Sequence, residues 1–291
     1  MEIHSTLLEI AKKDLEASRL LFDKKLYPQA VFFLQQSIEK AIKSYGILNN
    51  VISEGETRDI GHRAWKVYRK IFSKLKEDMR KAKEFIEAYP GLKQTRILKD
   101  LDLDAIIAKL EEHEESPSEE KEKELWKLSF ERERLENIIA DINKTRKELE
   151  EEITIYISER EVKEIKKALM DYIFKINPTA KIEADKIKRK LDKALTPQLI
   201  RDRLNIVIAE LPSYVFCSLS LYYLSLVLSP HATKPRYPQA DHNPLEVYNE
   251  RMPLIQVFSH FIEIAEETLN TLDRIFNSSA RLSFAFQLDS F

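Results

Sequence analysis

Apolar residues recur at steps of three and four along most of this chain, and the first two stripes lie back to back. Leu8, Ala11, Leu15, Ser18 and Phe22 share one face of a helix predicted over about Ser5–Lys24, with Ser5 as its cap. Tyr27-Pro28 then opens a second helix, because proline at a first helical position lacks only an N–H that has no intrahelical partner there. Its buried stripe is Ala30, Phe33, Leu34, Ser37, Ile38, Ala41 and Tyr45, and Glu39 precedes Lys43 by one turn in the favourable order. Gly46 and Asn49-Asn50 mark its exit. A polar loop follows, then a helix from about His62 to Ala88 with Ala64, Tyr68, Ile71, Leu75, Met79, Ala82 and Ile86 on one face, stopped by Tyr89-Pro90-Gly91.

The middle of the chain changes period. After a short helix at about 102–115, Ser116-Pro117-Ser118-Glu119 forms a capping box. In the helix it opens, Leu128, Leu135, Ile142 and Leu149 recur every seven residues, beside Leu125, Ile139 and Ile153, and Arg132 and Arg146 interrupt the second stripe. This is an imperfect heptad seam, which predicts a coiled-coil arm on the order of 50–60 Å long at about 1.5 Å per residue. Ser158-Glu159-Arg160-Glu161 is a second capping box, opening a helix to Ile176 that is expected to fold back on the first. Asn177-Pro178 breaks it, and Thr196-Pro197 starts another reaching Leu211. From Pro212 the chain turns apolar, with a buried helix expected over 214–228 and a last helix from about Pro253 to Phe276. Leu282, Phe284, Phe286 and Leu288 alternate, which predicts an extended tail over 279–291.

Composition narrows the function classes. Only 4 residues are Gly and 33% are charged, as in helix-rich proteins. A net charge of −2 gives no global basic character, so contact with nucleic acid has to come from a local patch. The single Cys217 excludes an intramolecular disulfide and a cysteine zinc cage. The apolar run 214–228 is broken by Ser218, Ser220 and Ser225 and is shorter than the roughly 20 residues a membrane span needs. The first residues lack a signal-peptide layout, and a soluble cytoplasmic protein is expected, without a membrane partner.

The first helix pair also resembles a known family. Ala11, Asp14, Leu15, Ala17, Leu20, Leu21, Tyr27, Ala30, Gln35, Gln36, Glu39, Lys40, Ala41 and Lys43, followed by Gly61-His62, stand at the spacing of the HEPN domain, an all-α bundle of higher-eukaryote and prokaryote nucleotide-binding proteins. Arg236-Tyr237-Pro238, ahead of the last helix, is similar to that family's tripeptide before its final helix. The resemblance implies an up-and-down helical bundle in two pieces, 1–94 and 213–278. An extended, partly coiled-coil insertion over 95–212 and the tail 279–291 complete the expected organisation.

Some HEPN proteins resemble metal-independent ribonucleases that carry an Arg, then about four to six residues, then a His, brought together across a dimer. Arg236 and His242 have this spacing. The chemistry suits the residues: His moves protons near neutral pH, and Arg stabilises charge on a phosphoryl transition state. The competing reading makes Arg236 a loop-structuring residue and His242 a surface residue. Arg58 with His62 is one residue short of the spacing, and Arg201-Asp202-Arg203-Leu204-Asn205 resembles another nuclease variant but lacks the following His. The helix 62–93 holds ten Lys/Arg against four acids, and Arg63, Lys66 and Lys70, with Arg236, are candidates for nucleotide or RNA contact; a solvated amphipathic face is the competing reading. Asp100, Asp102 and Asp104 alternate but lack the Gly and terminal Glu of a calcium loop, so no metal or other cofactor is expected.

The expectation is therefore an all-α, HEPN-like module associated with a nucleotide or RNA. Family resemblance implies that it acts through a partner such as a minimal nucleotidyltransferase, in a toxin–antitoxin or defence setting, and as a homodimer. Two alternatives stand beside it: a dimeric ribonuclease using Arg236 and His242, and a structural adaptor that self-associates through the arm.

Overall fold

The computed structural model describes residues 3–61, 65–88, 103–114, 119–149, 158–238 and 242–286. Among them the regular elements are helices: α1 (Ile3–Asp23), α2 (Tyr27–Leu48), α3 (Glu56–Ile60), α4 (Trp65–Ala88), α5 (Leu103–Glu114), α6 (Glu119–Leu128), α7 (Arg132–Leu149), α8 (Glu159–Ile176), α9 (Ala184–Ala194), α10 (Pro197–Leu228), α11 (Pro244–Val247), α12 (Pro253–Gln256) and α13 (Phe258–Phe286). Short 3₁₀ turns at Pro178–Glu183 and Ser229–His231 complete the list. The all-α class expected from the periodicity is what the chain adopts.

The chain forms two compact units. The first comprises Met1–Lys74, His113–Glu151 and Pro212–Phe291; the second comprises Leu75–Glu112 and Glu152–Leu211. This division differs from boundaries at 95 and 212, because 113–151 falls in the first unit. The reason is packing. Leu128, Leu135, Ile139 and Ile142, four residues of the heptad seam, are buried in the hydrophobic core with Leu8, Leu34, Leu224 and Phe261; Ile153 lies outside the described residues. The arginines that interrupt the seam meet polar groups of the closing helices: Arg146 donates to Glu267 at 2.7 Å, and Arg132 to Gln256 at 3.3 Å. The seam is the face of a helix in a bundle.

Nor is that helix continuous. It breaks at Ser129–Glu131 into α6 and α7, and the freed Ser129 carbonyl accepts from the backbone N–H of Leu254 at 3.1 Å. Of the capping box expected at 116–119, residues 116–118 lie outside the described residues, and Glu119 opens α6. The box at Ser158 is formed, with Ser158 Oγ accepting from the Glu161 N–H and Glu161 Oε2 accepting from the Ser158 N–H.

Helices α1 and α2 pack closely because the residues between them are small. Ala11, Ser18, Ala30 and Ser37 are fully buried. Three serines turn the approach into hydrogen bonds: Ser18 Oγ donates to Ala30 O, Ser37 Oγ to Ala11 O and Ser44 Oγ to His4 O, at 2.8, 2.7 and 2.6 Å. The corner between the helices puts Lys25 at φ 60, a left-handed conformation that costs a lysine about 1 kcal/mol. Helix α13 closes on α1 through Phe22–Phe258 and His4–Phe276 ring contacts and the Lys12–Asp273 and Arg19–Glu266 ion pairs.

Four further local expectations are corrected. Ser5 lies inside α1 and does not cap it. Gly46 sits in α2 rather than at its exit; a Cβ there would lie 2.7 Å from Val67 Cγ1, so it is glycine for close approach to α4. Pro212 does not separate two helices: α10 runs through it. The tail residues through Phe286 continue α13 as helix, because extending an existing helix needs no new nucleus and no Gly or Pro intervenes.

By length and composition one helix among the described residues, Pro212–His231, is apolar enough to cross a membrane, and 44% of that window is buried. Phe216, Cys217, Leu221, Leu224, Val227 and Leu228 from it belong to the bundle core, which accounts for its apolar character.

Candidate functional site

The segment from Ser229 to Tyr248 carries most of the candidate chemistry, and its core is a buried cluster of rings. Pro230 starts the 3₁₀ turn that places His231 in the interior, with no exposed surface. The imidazole bridges two distant elements. Its Nε2 is 2.9 Å from Ser129 Oγ, in the break between α6 and α7, and its Nδ1 is 2.7 Å from Tyr248 Oη. One ring nitrogen donates and the other accepts, so both are satisfied by a neutral ring. Burial, reinforced by Lys234 and His242, pushes the His231 pKa down to about 3. Burial also raises the Tyr248 phenol well above its ordinary value. The pair is therefore uncharged at neutral pH and serves as a polar pin.

Trp126 from α6 roofs this pin. Its ring lies 5.2 Å from His231, 5.7 Å from His242 and 6.3 Å from Tyr248, and Lys234 Nζ stands 4.3 Å over it. His242 is itself 8% exposed, not the surface residue of the competing reading. Its Nε2 donates to the Lys234 carbonyl at 3.0 Å. A carbonyl only accepts, so Nε2 carries a proton and Nδ1 is left as the ring's basic atom when neutral.

Arg236 is anchored elsewhere. Its guanidinium lies 4.9 Å from the ring centres of Phe32, on α2, and of Tyr237, and Nη2 donates to Tyr237 Oη at 2.8 Å. Arg236 and His242 thus stand in different surroundings, one on the exposed edge of α2 and one under Trp126. No hydrogen bond joins them among the described residues.

The other candidates scatter. Arg63 and His62 lie outside the described residues, as do Asp100 and Asp102. Lys66 is partly exposed on α4. Lys70 is paired with Glu56, and Lys74 donates to the Asn49 carbonyl at 3.0 Å. In the second unit, Arg80 pairs with Glu111, Lys81 with Glu77 and Lys83 with Asp104, at 2.5, 2.5 and 2.6 Å. Much of the basic character of α4 is therefore met by the protein's own acids. Arg58 lies in α3, and Gly61 after it has φ 56, as the loop-to-helix junction requires. Asp104 is taken up by Lys83, and no group of three or more His, Cys, Asp or Glu is placed to hold a metal among the described residues.

Two constellations are new relative to the sequence reading. The Trp126–Ser129–His231–Tyr248 cluster joins residues more than a hundred positions apart, and no local pattern marks it. A polar ladder along α2 is the second. Lys40 donates to Asp14 at 2.6 Å, Gln35 to Glu39 at 3.1 Å and Lys43 to Glu39 at 2.8 Å. Glu39 is only 6% exposed. The ladder's residues were legible as a family pattern and Glu39–Lys43 as a one-turn pair; the Lys40–Asp14 and Gln35–Glu39 links were not.

No curated protein and no solved structure matches this chain. A family model does match: that of the HEPN domain, over residues 4–143. The match covers α1 and α2 with the whole polar ladder and ends within α7. The Arg236-Tyr237-Pro238 tripeptide lies beyond it. Over residues 4–143, just under half of its length, the chain is similar to the HEPN domain.

Proposed function

We propose that this chain is a non-catalytic HEPN module, associated with a nucleotide or RNA and acting through a partner protein. The family match supports the nucleotide- or RNA-related character. The seating of His242 supports binding over catalysis: its Nε2 is committed to the Lys234 carbonyl and its ring is packed under Trp126, while Arg236 is stacked on Phe32. A general base and a charge-stabilising arginine have to converge on one phosphate. The partner in this reading is a nucleotidyltransferase-type protein, the setting is cytoplasmic toxin–antitoxin or defence biology, and the chain works as a homodimer.

Titration calorimetry of the full chain with ATP, GTP and a short single-stranded RNA tests the binding reading. Heat that saturates with at least one of them is the expected result, and flat titrations with all three overturn it. Incubation with single-stranded RNA tests the alternative of a dimeric ribonuclease using Arg236 and His242. Cleavage that vanishes in His242→Ala would replace the binding reading with that one. The adaptor alternative is supported less, since Leu128, Leu135 and Ile142 of its seam are occupied in the core.

A further inference from the structure

The second unit contains a helical hairpin in which α8 and α9, joined by the 3₁₀ turn at Pro178–Glu183, pack against each other. Both helices carry buried apolar residues, and Lys166–Asp192 links them. Leu191 is buried, Ile187 and Ala184 are partly buried, and Val162 and Ala168 of α8 are buried. Positions 184, 187 and 191 mark one side of α9. The opposite side carries Lys186, Arg189, Lys190 and Lys193, which follow the i, i+3, i+4, i+7 spacing and form one stripe about 10 Å long. All four are exposed.

The charge of this segment departs from that of the chain. Residues 181–193 hold six Lys/Arg against three Asp/Glu, in a protein of net charge −2. Two of the three acids are engaged: Asp192 with Lys166 of α8 at 2.8 Å, and Glu183 with Lys186 at 3.0 Å. The second pair is exposed on both sides and worth little in water, so it does not hold Lys186 from a competing anion. Arg189 Nε donates to the Asp185 carbonyl at 3.2 Å, which steadies the guanidinium and leaves its two Nη groups as further donors. Over residues 181–193 the bases thus outnumber the acids by three.

From this arrangement we infer that the outer face of α9, centred on Lys186, Arg189, Lys190 and Lys193, is a contact surface for the phosphate backbone of a polynucleotide. Charge complementarity selects a polyanion. A bilayer fits less well, because an interfacial helix needs an apolar face of its own, and that of α9 is turned into the hairpin; Ile182, 88% exposed, is the one large apolar side chain beside the stripe. The choice of a polynucleotide among polyanions rests on the nucleotide- or RNA-associated reading above. The surface itself lies outside the matched residues 4–143. It reads no sequence, since lysines and arginines on phosphates position a nucleic acid without specifying it.

The test uses the full chain with all four stripe residues changed to Gln, which keeps helix propensity close to that of Lys and Arg. A control variant carries Gln at the exposed Lys13, Lys24, Lys144 and Lys147, which removes the same charge elsewhere. Circular dichroism confirms that both fold. Affinity for a single-stranded RNA and a DNA of equal length is then measured between about 0.05 and 0.3 M salt. The expected result is at least a tenfold loss for the stripe variant at about 0.1 M salt, with a log–log salt slope shallower by about 3, and no comparable change in the control. RNA and DNA falling together marks pure phosphate contact; RNA alone falling marks contact with the 2′-hydroxyl as well. Equal losses in both variants overturn the inference. So does RNA binding that the stripe variant retains in full, a result that leaves the binding reading standing. Binding of the stripe to phosphatidylserine vesicles without binding to RNA also overturns it. Mononucleotide titration of the stripe variant separates the two proposals, because a mononucleotide site elsewhere is untouched by it.

Discussion

Ser129 and His231 are 102 residues apart in sequence and 2.9 Å apart in the interior, Oγ to Nε2. The contact ties the break between α6 and α7 to the turn after α10, and Tyr248 completes it from the other ring nitrogen at 2.7 Å. The end of α6, a 3₁₀ turn and the residue that follows α11 are thereby joined at one point. The loop that carries Arg236 and His242 hangs between two of these anchors.

The pin makes stability depend on pH. His231 is held neutral down to about pH 3 in the folded chain, whereas an unfolded histidine titrates near 6.5. Between those values the unfolded state binds one more proton. Stability from this group is therefore complete above about pH 6.5 and is lost as pH falls toward 3, by up to about 1.4 kcal/mol per pH unit. Urea melts of the wild type and His231→Gln at pH 7.5, 6 and 5 measure it. The variant is less stable at pH 7.5, and its deficit shrinks as pH falls; a deficit that is constant with pH sinks the assignment.

Two buried tyrosines make a matched contrast. Tyr45 Oη is 2.7 Å from Ser218 Oγ, while the Tyr68 hydroxyl is buried with no hydrogen-bond partner. Removing the first hydroxyl loses a bond and removing the second relieves a desolvated group. Tyr45→Phe should cost about 0.5–1.5 kcal/mol, and Tyr68→Phe should be neutral or stabilising by about 1 kcal/mol. Thermal melts of the two variants check the ordering, which a destabilised Tyr68→Phe would reverse.

Gly46→Ala tests close approach against helix propensity. Alanine in mid-helix ordinarily gains about 1 kcal/mol over glycine. Here the added methyl would meet Val67 Cγ1 at 2.7 Å and two atoms of Ile52 at 3.1 and 3.2 Å. Overpacking of this kind costs about 1–3 kcal/mol, so the variant should melt lower than wild type. A higher melting temperature would mean that α4 yields.

What the sequence disclosed and what it hid follow from the range of the interactions. Helices α1 and α2, the Pro28 start, the Ser158 capping box and the Glu39–Lys43 pair rest on residues within a turn or two of one another, and each is where the pattern places it. The heptad seam of Leu128, Leu135 and Ile142 was equally visible, but a seven-residue repeat does not say what it faces. The partner is the bundle core, set by long-range packing. The break at Ser129 was hidden for the same reason, as it is held by Leu254 and His231. In the candidate site, the Arg236–His242 spacing was legible and the directions of their side chains were not. Those directions depend on Phe32 and Trp126, each more than a hundred residues away in sequence.

That geometry gives the sharpest prediction for His242. If the ring pins the loop to Trp126 and to the Lys234 carbonyl, then His242→Ala removes one hydrogen bond and a ring contact, at a cost of about 1–3 kcal/mol. Limited proteolysis should cut the loop faster in the variant, and its melting temperature should fall by a few degrees. Single-stranded RNA should be left equally intact by both proteins. A catalytic histidine behaves in the opposite way, because a group that moves protons is removed with little loss of stability while turnover disappears. Wild-type cleavage abolished by His242→Ala at an unchanged melting temperature would therefore move His242 from the scaffold to the reaction, and Arg236→Gln would then have to abolish cleavage as well.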